Sequence, residues 1–211
     1  MPTRRRAVLI LATLMLLALA SFWAALAVGS IAVAPGDIIA GLLGREAPGA
    51  DIINELRLPR ALAGFACGGL LALAGALMQV LLRNPLADPY ILGISGGAGV
   101  GASFAILIGL PALGIDGLAF AGALGSMLLV FGLAHGDGSW TQTRLLLTGV
   151  IVAAGCGALV ALMLAIAPED RLRGMLFWLM GDLSQAGTPW IALAVLVAAL
   201  VASLPFAREL N

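Results

Sequence analysis

Six stretches of this chain contain no charged side chain and are long enough to cross a bilayer as a helix: Ala7–Val28, Ala61–Leu82, Ile91–Leu110, Gly117–Ala134, Leu145–Ala167 and Trp190–Ala207. All 11 arginines and lysines and all 11 acidic residues fall between them. A hydrocarbon layer of roughly 30 Å needs about 20 apolar residues at helical rise, so each run fits or approaches that window. Lipid offers no partner for backbone N–H and C=O groups. Helices that satisfy their own backbone are therefore the reading for apolar runs of this length, and the runs are too long for barrel strands. None of the six has the polar face of a soluble amphipathic helix.

The expected fold class is all-α integral membrane, a polytopic bundle of about six transmembrane helices making one domain over residues 1–211. With 62% hydrophobic residues, 10% charged residues and a mean hydropathy of +1.10, composition points the same way. A formal net charge of zero gives no global signature for nucleic acid.

Arg4, Arg5 and Arg6 precede the first run, which is too long for a typical cleavable signal core, so it reads as a membrane helix with its arginines on the cytoplasmic side. Alternation then places six arginines in the 28 residues of the cytoplasmic segments and five in the 60 residues of the outer ones. The expected location is a bacterial inner membrane, with both termini cytoplasmic. The outer segment Pro168–Pro189 carries a short apolar piece, Met175–Met180, expected to lie as an interfacial or re-entrant helix.

Chemistry-bearing residues are sparse. Cys67 and Cys156 each lie inside an apolar run and read as small packing residues. The single histidine, His135, sits in Ala134-His135-Gly136-Asp137 at a run's end, without the further ligands a metal site requires. No catalytic residue, cofactor or metal site is expected, since no carboxylate pair or Ser/His/Asp set lies inside the spans. An ion-coupled secondary transporter would carry ionisable residues at membrane depth, and the runs have none. The glycine-rich stretch Gly93–Gly101 has no preceding strand and no following Lys-Ser/Thr, which argues against a phosphate-binding loop.

Glycine patterning suggests instead close helix packing, with Gly68 and Gly75 in the second run and Gly93 and Gly97 in the third as the expected contact points. Between those runs, Arg83-Asn84-Pro85-Leu86-Ala87-Asp88-Pro89 reads as a rigid turn. Pro85 and Pro89 stop helices, while Asn84 and Asp88 favour caps and turns. Gln79, the strongly polar side chain of its run, is expected to act as interhelical glue.

Leu56-Arg57-Leu58-Pro59-Arg60, Gly68-Gly69-Leu70-Leu71-Ala72-Leu73-Ala74-Gly75, Gln79, Arg83–Pro89 and Leu92-Gly93-Ile94-Ser95-Gly96-Gly97-Ala98 together resemble the permease family of ABC importers for ferric siderophores, haem and cobalamin. Arg144-Leu145-Leu146-Leu147-Thr148-Gly149 and Trp178-Leu179-Met180-Gly181-Asp182-Leu183 are similar to later landmarks of that family, in its order. The resemblance implies a permease fold of about ten helices per subunit, a second permease subunit, two ATPase subunits on the cytoplasmic face and a soluble or lipid-anchored substrate-binding protein outside. It also implies that Arg57 and Arg60 meet carboxylates of that binding protein; the residues by themselves fit equally an anchoring of the second helix at the membrane interface. A chelated iron compound is the first expected cargo, with haem and cobalamin sharing every motif used. The family continues past a similar Leu-Asn into ATPase-coupling helices and about four more membrane helices. The expected function is the permease subunit of such an importer, with a truncated or split permease, or a fragment that does not transport, as the alternative.

Overall fold

The computed structural model describes residues 4–85, 87–135, 141–184, 186 and 188–205. Leu86, Gly136, Asp137, the last two residues of the sixth apolar run and Arg208 and Glu209 lie outside the described residues. Among the described residues regular structure is entirely helical: α1 (Arg4–Ala27), α2 (Pro35–Leu42), α3 (Leu58–Leu81), α4 (Ile94–Leu107), α5 (Ala112–Ala134), α6 (Gln142–Ile166), α7 (Glu169–Met180) and α8 (Pro189–Ser203). A π-helical segment, Ile52–Arg57, leads straight into α3, and a 3₁₀ turn, Pro89–Leu92, precedes α4.

Among the described residues four helices are long and apolar enough to cross a membrane: Arg4–Ala27, Ile52–Leu81, Ala112–Ala134 and Gln142–Ile166. The third and sixth apolar runs form shorter helices. α4 has 14 residues and α8 has 15, which at helical rise span roughly 21–23 Å, less than a full hydrocarbon layer. The third run is shortened because its first residues fold as the 3₁₀ turn and Gly93 breaks into the left-handed region at φ +68° before α4 starts. α7 in turn begins six residues ahead of the expected apolar piece. Pro168 precedes its first turn, and Glu169 and Asp170 place negative charge at the helix's positive end, so the polar residues join the helix.

Compactness divides the chain into two units, one comprising Met1–Leu70 together with Leu183–Glu209, the other Leu71–Asp182. In the first, Leu26 of α1, Ile38 of α2 and Ile53 of the π segment bury one another almost completely, with Phe22, Val33, Leu58 and Ala61 packed around them. The rest of α1 exposes Val8, Leu9, Ile10, Leu11, Leu14, Met15 and Leu16, an apolar surface suited to acyl chains.

The second unit is built on α4, which packs against α5, α6 and α7. Its core joins Met78 and Leu82 from the end of α3, Leu92 from the 3₁₀ turn, Val130 and Ala134 from α5, and Leu145 and Val152 from α6. Lipid tails are as apolar as these side chains, so the cohesion of such a bundle comes from close contact and not from escape from water.

Candidate functional site

Three groups of residues carry the sequence motifs: the start of α3, the turn from α3 to α4, and the glycines of α4. At the first, the wider π-helical coil presents Ile53 to the core while Asn54 Nδ2 donates to the Gly41 carbonyl at 3.1 Å. Arg57, half-buried, reaches back to the end of α1. Its Nη1 donates to the carbonyls of Leu26 at 2.7 Å and Ala27 at 3.2 Å, and its Nη2 donates to the carbonyl of Ile31. Arg60, one turn on, is exposed, and its Nη2 donates to the Ser184 carbonyl at 3.2 Å. The two arginines expected to act together thus stand in different environments.

The turn after α3 is closely specified. Asn84 N–H donates to the Gln79 carbonyl at 3.0 Å and Arg83 N–H to that of Val80 at 3.1 Å. These two bonds are the Schellman pattern, which needs a left-handed residue just past the helix. Arg83 supplies it at φ 44°, the only non-glycine with positive φ among the described residues. Proline at 85 disfavours helix at Asn84, whose carbonyl accepts from Ala87 N–H at 3.0 Å. Asp88 then caps the 3₁₀ turn, its Oδ1 accepting from Tyr90 N–H at 2.8 Å, with Pro89 in the first turn where no N–H is needed.

The glycines separate into two kinds. A Cβ at Gly97 would overlap the Gly122 carbonyl oxygen and stand 2.5 Å from Ser126 Cβ; one at Gly122 would overlap the Gly97 carbonyl oxygen in return. Gly101 meets the Leu118 carbonyl in the same way, and Gly149 of α6 meets that of Ile91. Gly93 lies against Ser126, whose buried Oγ donates to the Gly93 carbonyl at 2.7 Å. Gly68 and Gly75 differ, because a Cβ at either would meet nothing within 4 Å among the described residues. Among the described residues they mediate no close approach; Gly68 is exposed and Gly75 half-buried. Gln79 is likewise exposed. Gly101 belongs to the glycines of the third run expected to pack closely; its partners Gly122 and Ser126 were not expected, although Gly97/Gly101 and Gly122/Ser126 are both small residues four apart, and Gly149 carried no such signal.

Cys67 and Cys156 are free thiols, and His135 is exposed at the end of α5. What the described residues build is a tightly packed helical scaffold.

Comparison with known proteins places the scaffold. Residues 15–211 match the FecCD transport family. The chain is 39% identical over 165 residues to the cobalamin import system permease protein BtuC of Halobacterium salinarum, covering 76% of this chain and 44% of that one. It is 38% identical over 190 residues to the vitamin B12 import system permease protein BtuC of Salmonella newport, covering 89% and 55%. A solved structure described as an inward-facing conformation of a metal-chelate type ABC transporter superposes with a TM-score of 0.74 at 29% identity, over 96% of this chain and 62% of that one. The chain therefore spans about half the length of the curated relatives it matches.

Proposed function

The chain belongs to the FecCD transport family, and from that membership we propose that it works as permease subunit of an ABC importer carrying a metal chelate across the inner membrane. Among ferric siderophore, haem and cobalamin, the last is put first, because it is the cargo named for both BtuC relatives. The identity of 38–39% over most of this chain is the observation that carries the reading. ATP hydrolysis falls to separate ATPase subunits, and transport is rigid-body rocking of helices around a path shared with a second permease subunit. The absence of ionisable residues from the apolar runs supports a cargo that passes few strong contacts.

A substrate-binding protein docks outside, at the face bearing Arg57 and Arg60, where guanidinium groups take carboxylates and set register. Arg60, the exposed one, presents its charge to that partner. Both termini and the turn at Asn84 lie in the cytoplasm, a topology supported by the arginine density of the cytoplasmic segments.

The test is ATP-driven uptake into proteoliposomes holding this chain, the ATPase subunits and a binding protein, with labelled cobalamin and a ferric siderophore as alternative cargoes. Uptake of cobalamin above the ferric chelate is expected. Uptake of neither, with all subunits assembled, would sink the importer reading. A second reading, that these 211 residues work only together with the remaining portion of such a permease, is supported by the coverage of the relatives. Assembly and uptake with and without a polypeptide supplying that portion separates the two. Labelling of a cysteine placed at Asn84 by an impermeant reagent in intact cells would overturn the topology.

A further inference from the structure

α2 is a short helix with two apolar sides. One is internal: Ile38 is fully buried with Leu26 and Ile53, and a Cβ at Gly41 would stand 3.3 Å from Ala50 Cα. The Gly41 carbonyl also accepts from Asn54 Nδ2, so this side is fixed to the segment that leads into α3. The other side is bare. Pro35, Ile39 and Leu42 recur at intervals of four and three residues and so share a face, with Leu43 beside them just past the helix end. Val28 and Ile31, in the stretch before α2, are exposed as well. The five large side chains from Val28 to Leu43 on this side are 40–76% exposed.

A helix facing water would turn polar residues that way. Asp37 instead lies two residues from both Pro35 and Ile39, on the opposite side of the helix, half-buried in the first turn where its charge matches the helix dipole. Arg45 and Glu46 come only after the helix.

The level of α2 follows from α1. Arg4, Arg5 and Arg6 mark one end of that helix, and its 24 residues less those three rise roughly 31 Å, about the thickness of a hydrocarbon layer. Leu26, in the last turn, is the one residue of α1 buried among the described residues, and it packs with Ile38 and Ile53. α2 therefore lies beside the last turn of α1, where acyl chains give way to headgroups. Its bare face continues the exposed apolar surface of α1 through Val28.

We propose that α2 is an interfacial anchor. Its Ile39, Leu42 and Leu43, with Val28 and Ile31, seat in the acyl–headgroup boundary of the leaflet at the end of α1 away from Arg4–Arg6, while Ile38 and Gly41 hold the same helix to the protein. The occupant of this face is lipid and not a docked protein. Continuity with the apolar surface of α1 favours it, the face offers no cation to a partner's carboxylates, and Asp37 and Glu46 oppose such a partner. Apolar burial, not charge, provides the seat, so the anchor is indifferent to salt and to anionic lipid. The inference needs α1 to span the bilayer and takes nothing from the importer reading.

Two measurements on the full chain in lipid nanodiscs test it. In the first, the unmodified protein is photolabelled by a phosphatidylcholine carrying a diazirine near the carbonyl end of one acyl chain, and the adducts are mapped by mass spectrometry. Adducts within residues 28–43 are expected beside those in α1, at the same yield in low and high salt. In the second, nitroxides are attached to Ile39→Cys, Leu42→Cys, Leu14→Cys and Glu46→Cys, one at a time, with Cys67 and Cys156 changed to alanine. Relaxation by oxygen against a water-soluble nickel chelate should place the labels at 39 and 42 about 5–10 Å into the headgroup–acyl boundary, with Leu14→Cys deeper and Glu46→Cys in water. Adding Leu42→Asp should move the label at 39 toward water and leave that at 14 in place.

Adducts confined to α1, or labels at 39 and 42 as open to the chelate as Glu46→Cys while Leu14→Cys stays in lipid, would overturn the anchor, as would a label at 39 unmoved by Leu42→Asp. The photolabelling is then repeated in the assembled complex, with ATPase subunits, a binding protein and a polypeptide supplying the remaining permease portion. The same adducts are expected there. Their loss from residues 28–43 on addition of any of these would give the face to that protein and overturn the lipid assignment.

Discussion

Helices α3 and α4 are written in the same small, apolar residues, and in sequence both look like packing helices. α4 is pressed backbone to backbone against α5 at Gly97 and Gly101, and its next turn is ended by a glycine, Gly109, at φ 80°. α3 leaves Gly68 and Gly75 open and is ended by an arginine, Arg83, in the same left-handed region. Both ends make the same pair of bonds: Leu110 N–H to Ala105 and Gly109 N–H to Ile106 in α4, Asn84 to Gln79 and Arg83 to Val80 in α3. A glycine is therefore a packing device only where a neighbour of matching shape arrives, and a helix end can be specified by its surroundings even where its residue resists the geometry.

The comparison breaks most sharply at Gly101. Its Cβ would overlap the Leu118 carbonyl oxygen and lie 2.7 Å from that carbonyl carbon and 3.2 Å from Ala119 Cα. Those are backbone atoms of α5, which can give way only if the helices part. Gly101→Ala is expected to lower unfolding stability in detergent by about 2–3 kcal/mol. Reciprocal overlap makes Gly122→Ala the companion. A change below about 0.5 kcal/mol in both would mean that α4 and α5 are not in backbone contact.

Gly149→Ala is expected to cost less, about 1–2 kcal/mol in the same unfolding measurement. Its Cβ would also strike a backbone carbonyl, that of Ile91, but Ile91 belongs to a single 3₁₀ turn flanked by Gly93, which can shift where a whole helix cannot. A loss equal to that at Gly101 would show the turn to be as rigid as the α4–α5 pair.

The helix ends supply a matched pair of smaller effects with opposite sign. Arg83→Gly relieves a left-handed arginine and should stabilise by about 1 kcal/mol, whereas Gly109→Ala imposes the same conformation on a Cβ and should destabilise by about 1 kcal/mol. Thermal unfolding of the two variants beside the parent checks both. If Arg83→Gly instead destabilises, the exposed guanidinium makes a contact worth more than its backbone strain.

How far all this was legible follows from what each feature depends on. The apolar runs carried the helical class because lipid permits few backbone solutions, whereas the apolar pattern puts the start of α7 six residues late, although Pro168-Glu169-Asp170 carries a helix-start signal. The break of the third run at Gly93 was not legible. An all-apolar stretch has no periodicity to interrupt, and one left-handed glycine among several looks like its neighbours. The partners of Arg57 were equally hidden, because carbonyls of Leu26, Ala27 and Ile31 have no residue type to recognise. The facing pairs Gly97/Gly101 and Gly122/Ser126 stood in between: each spacing was visible, but their meeting depends on how α4 and α5 register.

The smallest expected effect bears on the open face of α3. With nothing among the described residues within 4 Å of a Cβ at Gly68 or Gly75, Gly68→Ala and Gly75→Ala meet no steric penalty from them, and the added methyl favours helix by up to roughly 0.5–1 kcal/mol. Unfolding of the isolated chain in detergent should therefore show no change or a slight gain. The same variants measured in the assembled transporter distinguish lipid from protein on that face, since lipid tails yield to a methyl group and a close-packed helix does not. A gain in the isolated chain turning into a loss on assembly would show that another helix covers Gly68 and Gly75, and that α3 keeps its glycines for a contact made outside this chain's own fold.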